Sequence, residues 1–134
     1  LAGVNYEEIK PHDDLVPVIH RLKADNILII VSSSDTQDIN RIMNRFNLRG
    51  CFHAVLGSDV NLSKQEKIIL ALDKFKMAKE NTYYIGDTTG DIKEAKAVGI
   101  RTLAVAWGWH SREKLIAAHP DYLIDRPEQL LNIR

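Results

Sequence analysis

Residues 83–91 read YYIGDTTGD, and residues 92–99 continue the chain as IKEAKAVG. The apolar run that ends at Gly86 predicts a strand, Asp87 follows it in a tight turn, and Asp91 opens a segment of helix-forming residues. Gly99 predicts the end of that helix, since glycine readily adopts the left-handed conformation found there. A strand that leads through a short turn into a helix is typical of an α/β fold.

The two acids of this stretch are four residues apart, so Asp87 and Asp91 can point into one small volume. Two carboxylates in one place repel each other unless a cation joins them. Oxygen ligands of this kind suit Mg²⁺, which binds one or two carboxylates and keeps other positions for water and phosphate. The alternative is purely structural, because Asp also begins turns and caps helices.

Composition limits the classes of function. The 134 residues fit one domain, which we divide into an arm at residues 1–10 and a core domain at residues 11–134. Lys plus Arg and Asp plus Glu balance at 18 each, so no overall charge favours nucleic acid or an acidic membrane. The single Cys51 excludes an internal disulfide and permits a cytoplasmic location. A first residue of Leu1 rather than Met suggests a fragment of a longer chain.

A second candidate element lies upstream of the acidic stretch. Residues 27–31 are apolar and mostly β-branched, which predicts a strand buried on both faces of a parallel sheet. The strand is followed by Ser32, Ser33, Ser34 and Asp35. Hydroxyl groups at the carboxyl end of a strand can hold an anion, and Ser34 or Asp35 can cap the next helix. Capping alone remains the alternative.

A third candidate is Lys64. Ser63 and Glu66 form the pattern of a capping box, which puts Lys64 in the first turn of a helix. The helix dipole disfavours a cation there, so this lysine contributes poorly to helix stability and is free for another role. A solvent-exposed charge is the common alternative for any lysine.

The remaining pattern alternates helices and strands. Pro17 requires the first helix to start near Asp13 or Asp14, and Gly50 predicts the end of the second helix. Further strands are predicted at residues 52–56, 102–106 and 122–124, with helices near 111–118 and 127–131. We expect His12 and His20 on the surface, Cys51 as a small, partly buried apolar residue, and Trp107 and Trp109 packed on the sheet edge. This order predicts a doubly wound parallel sheet between helical layers.

Taken together, these residues resemble a known family. Ser32 after a buried strand, Lys64 at a helix start, and the run 86–91 are similar in order and spacing to the second, third and fourth motifs of the haloacid dehalogenase superfamily. The runs 83–99, 104–108 and 120–124 are similar to its phosphoglycolate phosphatase branch. The resemblance covers nearly the whole chain from Pro11 onward. It implies a Rossmannoid three-layer core and a Mg²⁺-dependent phosphatase of a small phosphorylated metabolite.

The resemblance also implies roles. Ser32, with Ser33 beside it, would bind the phosphoryl group, and Lys64 would offset charge on the phosphate and on the nucleophile. Asp87 would bind Mg²⁺ directly, and Asp91 would support the ion as a ligand or through water. Lys67 is the alternative to Lys64. Positioning and electrostatic stabilisation of this kind are most of what phosphoryl transfer needs.

One departure from the family is severe. Its first motif, an Asp-x-Asp after an apolar strand, supplies the nucleophile, and the 134 residues contain no such pair. Without its nucleophile, covalent catalysis does not proceed at a useful rate, so we expect this chain alone to be inactive. A second hypothesis is a non-catalytic binding module of the same fold. A third, a phosphoacceptor receiver domain, would place its acids on an earlier strand.

The missing motif also predicts a missing strand. In the family it lies at the centre of the sheet, between the strands predicted at residues 27–31 and 83–85. Either these two strands pair directly, or the arm enters between them, or a segment of another chain does so by strand addition. Gly3 and two glutamates make the arm a poor buried strand, so we expect a strand-donating segment or a second copy.

Overall fold

The computed structural model describes residues 14–133. Over this range the chain alternates helices and strands in the predicted order. The helices are α1 (Leu15–Asp25), α2 (Thr36–Arg45), α3 (Lys64–Lys74), α4 (Thr89–Val98) and α5 (Arg112–Ala117). The strands are β1 (Ile29–Val31), β2 (Ala54–Leu56), β3 (Tyr83–Gly86), β4 (Arg101–Val105) and β5 (Tyr122–Ile124). Two 3₁₀ segments complete the list, Lys79–Asn81 and Pro127–Asn132.

The strands form two parallel sheets. In one, β1 pairs with β2, with Ile30 opposite Val55. In the other the order is β3-β4-β5, with Ile85 opposite Leu103. Every pair is parallel, so all strands end at the same edge of their sheet, as expected for an α/β fold.

Helices cover both faces of these sheets. On one face α1, α2 and the last 3₁₀ segment pack against a cluster that contains both Ile30 of β1 and Ile85 of β3. On the other face α3 and α4 pack against Ile29 and Val31, in the same cluster as Tyr84. The two sheets therefore share both hydrophobic layers. The predicted three-layer α/β fold is confirmed, and none of the described helices is long and apolar enough to cross a membrane.

Direct pairing between β1 and β3 does not occur. Within residues 14–133 no strand joins the two sheets, although β1 is buried at all three of its residues. Of the three ways to fill this place, direct pairing is therefore wrong for this structure. The arm at residues 1–10, like His12, lies outside the described residues, and an added segment stays a prediction.

The helix ends follow local chemistry. Pro17 is the third residue of α1, where its missing N–H breaks no helical hydrogen bond, as predicted. Gly99 ends α4 with a φ of 93°, also as predicted. The prediction that Gly50 ends the second helix was wrong, because α2 ends at Arg45 and Asn47 takes the left-handed conformation with a φ of 58°. Asparagine tolerates this conformation better than most residues.

Cys51 is buried, as predicted, but it has a neighbour that the sequence did not reveal. Its Sγ lies 3.5 Å from Nδ1 of His20, whose Nε2 donates to the backbone oxygen of Asn47 at 2.8 Å. His20 itself is exposed, as expected. Burial raises the pKa of the Cys51 thiol, and the nearby charge of Lys23 opposes this only in part. The thiol is therefore protonated at neutral pH.

Candidate metal and phosphate site

The predicted site residues lie at the carboxyl ends of β1 and β3. Ser32 follows β1 directly, and Asp87 follows β3. Lys64 is the first residue of α3, and Asp91 is the third residue of α4. Because all strands are parallel, these strand ends and helix starts meet at one edge of the sheets, where α/β folds bind their ligands.

Asp87 is the most deeply buried acid of this site, with a side chain that is 0% exposed. Its Oδ2 accepts a hydrogen bond from the backbone N–H of Trp109 at 2.9 Å. Its Oδ1 is buried and has no partner among the described residues. Burial raises the pKa of Asp87, and the charge of Asp91 adds to the increase, while the Trp109 N–H acts in the opposite direction. A buried oxygen without a partner is a free ligand position.

Asp91 is 3% exposed and is paired with a lysine. Nζ of Lys64 donates to Oδ1 of Asp91 at 2.5 Å. The cap of α4 is Thr88, whose hydroxyl accepts from the Asp91 N–H at 3.1 Å. The capping role considered for Asp91 is thus filled by Thr88, and the Asp91 carboxylate points to the lysine of the neighbouring helix.

Two glycines make room for the carboxylates. A Cβ on Gly86 would lie 2.7 Å from Cβ of Asp91, and a Cβ on Gly108 would lie 2.5 Å from Cβ of Asp87. Both distances are far below van der Waals contact, so no other residue fits without moving the acids. The packing of the backbone around the two carboxylates is specific to glycine at both positions.

The loop after β4, residues 107–110, holds Asp87 in place. Besides the Trp109 N–H, the His110 N–H donates to the backbone oxygen of Asp87 at 3.1 Å. The ring of His110 accepts from the Thr89 N–H at 3.0 Å through Nδ1, which ties the loop to the start of α4. The sequence did not predict these contacts, because any residue can supply a backbone N–H donor. The one available signal was Gly108, since a glycine between two tryptophans allows another group to approach the backbone closely.

The structure also separates the two tryptophans. Trp107 packs against the hydrophobic core as predicted. Trp109 does not, since it is 69% exposed. The prediction that both pack on the sheet edge is wrong for Trp109, because the hydrogen bond of its backbone to Asp87 faces inward and leaves the indole outside.

The serine side of the site is organised by the second lysine. Lys67 is 6% exposed, and its Nζ donates to the backbone oxygen of Ser32 at 3.1 Å. Ser32 is buried, and its hydroxyl accepts from the Ser34 N–H at 3.0 Å. Burial lowers the pKa of Lys67, and the charge of Lys64 lowers it further. The two lysines considered for one role therefore have different partners, Asp91 for Lys64 and Ser32 for Lys67.

The other serines differ in exposure. Ser33 is exposed, whereas Ser34 is buried and its Oγ has no partner among the described residues. The cap of α2 is Asp35, which accepts from the Gln37 N–H at 3.0 Å. Asp35 alone fills the capping role, so the buried hydroxyl of Ser34 is not needed for the cap.

The residues fit a magnesium ion. Among the described residues no group of three or more His, Cys, Asp and Glu side chains could hold a metal. Mg²⁺ does not need such a group, because it uses one or two carboxylates and completes its shell with water and phosphate oxygens. The unpartnered Oδ1 of Asp87, with Asp91 nearby, is the donor set that such an ion uses.

The sequence matches known proteins over most of the chain. Residues 2–105 match the family model of haloacid dehalogenase-like hydrolases. The chain is 34% identical over 102 residues to a phosphoglycolate phosphatase of Synechococcus elongatus, an alignment that covers 76% of this chain and 48% of that protein. It is 26% identical over 128 residues to a phosphoglycolate phosphatase of Aquifex aeolicus, covering 92% of this chain and 59% of that one.

A solved structure has the same fold. A haloacid dehalogenase-like hydrolase of Streptococcus pneumoniae superposes with a TM-score of 0.80 at 27% identity, over 87% of this chain and 56% of that one. The chain thus spans about half the length of the relatives that it matches.

Proposed function

The chain belongs to the haloacid dehalogenase-like hydrolase family and is similar to its phosphoglycolate phosphatases, and from this premise we propose that it is the core portion of a Mg²⁺-dependent phosphatase of a small phosphorylated metabolite. One observation carries the proposal. Asp87 is a fully buried carboxylate with one oxygen unpartnered, next to an Asp91 that is already paired with Lys64. A protein would not bury this charge for stability alone, because an uncompensated buried carboxylate is strongly unfavourable.

Each residue has a role in this proposal. Bound Mg²⁺ would neutralise charge on the phosphate and on the carboxylates. Asp87 would hold the ion with its unpartnered oxygen, and Asp91, which is paired with Lys64, would orient the ammonium of that lysine for the phosphate. Ser32 and Ser33, which follow β1, would donate to phosphoryl oxygens. The arrangement binds and orients a phosphate by charge, which is the main requirement of phosphoryl transfer.

In this proposal the nucleophile is supplied by a residue that is not among these 134. The 134 residues contain no Asp-x-Asp pair. In this proposal Asp87 is the metal ligand and Asp91 is paired with Lys64, so neither serves as the nucleophile. The free, buried thiol of Cys51 is compatible with a cytoplasmic location, which stays a prediction.

The test compares this chain with a longer form. We expect the 134 residues alone to show no turnover of p-nitrophenyl phosphate or phosphoglycolate. A form extended upstream with an Asp-x-Asp on an apolar strand should be active, and Lys64→Ala and Asp87→Asn should each cripple it. Lys93→Ala, which removes an exposed lysine of α4, is the control and should have little effect. Mg²⁺-dependent turnover by the 134-residue chain itself would mean that it holds a nucleophile that we have not identified.

The second candidate function is a non-catalytic binding module of the same fold. The two functions are distinguished by the extended form. A binding module would bind Mg²⁺ and phosphate both as the 134-residue chain and as the extended form. Neither form would hydrolyse p-nitrophenyl phosphate or phosphoglycolate.

A further inference from the structure

The carboxylate of Asp87 offers only one of its two oxygens to a ligand. Its Oδ2 accepts from the backbone N–H of Trp109 at 2.9 Å, whereas its Oδ1 is buried and has no partner among the described residues. The backbone of Gly108 packs against the engaged oxygen, since a Cβ placed there would lie 2.6 Å from Oδ2. Turning both oxygens of Asp87 toward one ion would pull Oδ2 away from the Trp109 N–H without replacing that hydrogen bond.

The loop that carries this N–H is tied to both neighbouring segments of the site. The N–H of His110 donates to the backbone oxygen of Asp87 at 3.1 Å, and the Nδ1 of its ring accepts from the N–H of Thr89 at 3.0 Å. Thr89 is the first residue of α4, the helix that also carries Asp91. The ring of His110 therefore joins the loop that engages Oδ2 of Asp87 to the helix of the second acid.

Asp91 is restricted in the same way. Its Oδ1 accepts from Nζ of Lys64 at 2.5 Å, so binding of an ion through both oxygens of Asp91 would have to displace the lysine. Each of the two acids thus has one oxygen engaged with a donor of the protein. Mg²⁺ accepts such single oxygens, because it takes one or two carboxylates and fills its octahedral shell with water and phosphate. Ca²⁺ takes about six to eight oxygen ligands and commonly binds both oxygens of a carboxylate.

We propose that His110 is a positioning residue that sets the metal preference of this site. By holding residues 107–110 against α4, it keeps Asp87 bound to the ion through Oδ1 alone, and this favours Mg²⁺ over Ca²⁺. The inference rests on the proposed function, since it needs a metal ion at Asp87. His110 does not touch the ion and acts only through the Trp109 N–H. Mutation of residues that orient a metal ligand in this way typically changes metal affinity by about 10–100-fold.

Metal titrations followed by NMR test the inference without turnover. The 134-residue chain and its variants are titrated with Mg²⁺ or with Ca²⁺ at one pH, and the two Kd values are compared as a ratio. We expect His110→Ala to lower the preference for Mg²⁺ about tenfold, mainly through weaker Mg²⁺ binding. His110→Asn should keep most of the preference. Its side-chain oxygen is as many bonds from the backbone as Nδ1 is, so it can accept from the Thr89 N–H.

His53 provides the matched control. Its Nδ1 also accepts from a backbone N–H, that of Leu28 at 3.3 Å. These two residues precede β2 and β1, so they lie at the opposite ends of the strands from the acids. His53→Ala removes the same kind of hydrogen bond and should leave the ratio of the two Kd values unchanged. An unchanged ratio in His110→Ala, or an equal loss of Mg²⁺ and Ca²⁺ binding, would overturn the role of His110.

A measurement on the wild type does not depend on the folding of any variant. The amide hydrogen of Trp109 should exchange with solvent no faster in saturating Mg²⁺ than in EDTA, because Oδ2 of Asp87 stays bonded to it. Faster exchange would mean that Oδ2 has turned to the ion, and the inference would be overturned. If Mg²⁺ binds no more tightly than Ca²⁺, the inference is overturned and the metal site stands. If Mg²⁺ does not bind, the proposed function is contradicted and the inference is overturned with it.

Discussion

Asp87 is destabilised in its charged form, because its side chain has lost contact with water and faces the charge of Asp91. Its native pKa is therefore raised above the ordinary value of 3.8. The native state holds the proton more tightly than the unfolded chain does. The contribution of Asp87 to stability is thus present below the ordinary pKa and is lost as the pH rises through the raised pKa.

This shift predicts a pH dependence for the metal-free chain. In EDTA, the free energy of unfolding of the wild type should fall relative to that of Asp87→Asn as the pH rises from 4 to 7. Urea denaturation across this range measures the difference, with Asp73→Asn on α3 as the control acid. A difference between wild type and Asp87→Asn that stays constant with pH would contradict the burial of an unpaired carboxylate.

Gly108 gives a steric prediction at the same scale. Gly108→Ala places a Cβ 2.5 Å from Cβ of Asp87, so we expect it to destabilise the fold by about 1–3 kcal/mol and to displace the carboxylate. Gly90→Ala is the matched control, because its Cβ would meet nothing closer than 3.8 Å. In helix α4 it should be neutral or stabilise by up to about 1 kcal/mol. Thermal melts of both variants measure the change in stability. Equal changes in Gly108→Ala and Gly90→Ala would contradict the close approach of Gly108 to Asp87.

The residues of the site divide into those that the sequence predicted and those that it could not. Lys64, Asp87 and Asp91 were predicted because carboxylate spacing and a lysine at a helix start have local signatures. The contacts of Trp109 and Lys67 were not, because each depends on elements brought together from distant parts of the chain. Nothing in a sequence marks which backbone N–H will meet a distant side chain, or which lysine inside a helix will be buried.

Helix α3 carries Lys64 in its first turn, and the capping box predicted from Ser63 and Glu66 is present. The Ser63 hydroxyl accepts from the Glu66 N–H at 3.1 Å, and the Glu66 side chain accepts from the Ser63 N–H at 2.9 Å. The cap fixes the backbone direction at Ser63, next to Lys64, whose side chain extends to Asp91. The types of the elements were predictable in this way, because caps and hydrophobic periodicity are local features of the sequence. The position at which α2 ends was not predicted correctly.

Removal of the cap should therefore affect both stability and the site. Ser63→Ala should lower the free energy of unfolding by about 1 kcal/mol and weaken phosphate binding in Mg²⁺. Ser111→Ala removes the equivalent cap of α5, where the hydroxyl accepts from the Lys114 N–H, and should lower stability similarly without changing phosphate affinity. Denaturation and calorimetry measure the two quantities. Equal effects of both variants on phosphate binding would contradict a positioning role of the α3 cap.

At the scale of the whole molecule, β1 and β3 are both buried and both belong to the same two hydrophobic layers, yet they are in separate sheets. β1 and β3 each pair with one described strand only, so the backbone groups on their other edge have no described strand as partner. Each unmade buried hydrogen bond costs about 1–3 kcal/mol, and an ordinary domain has only about 5–15 kcal/mol in total. The sequence predicted both the parallel α/β architecture and a gap between the strands at residues 27–31 and 83–85. What fills that gap was left open, because it depends on contacts that no local sequence pattern encodes.

We expect an added strand to fill this place, from a second copy or from another polypeptide. Sedimentation should then report a species heavier than the 15.2 kDa chain, and intact mass analysis should identify a bound peptide if the partner is not a copy. A stable, compact monomer without bound peptide would exclude the added strand. The arm at residues 1–10 would then be the remaining candidate.

We propose that Asp87 and Asp91 form a Mg²⁺ site at the carboxyl end of β3. A ligand that binds only the native state stabilises it by mass action, by about 1.4 kcal/mol at a tenfold excess over its Kd. Thermal melts of the wild type, Asp87→Asn and the control Asp73→Asn, each with EDTA or with millimolar Mg²⁺, measure this directly. We expect Mg²⁺ to raise the Tm of the wild type and of Asp73→Asn by several degrees and to leave that of Asp87→Asn unchanged. Equal shifts in all three proteins, or no shift in the wild type, would contradict it.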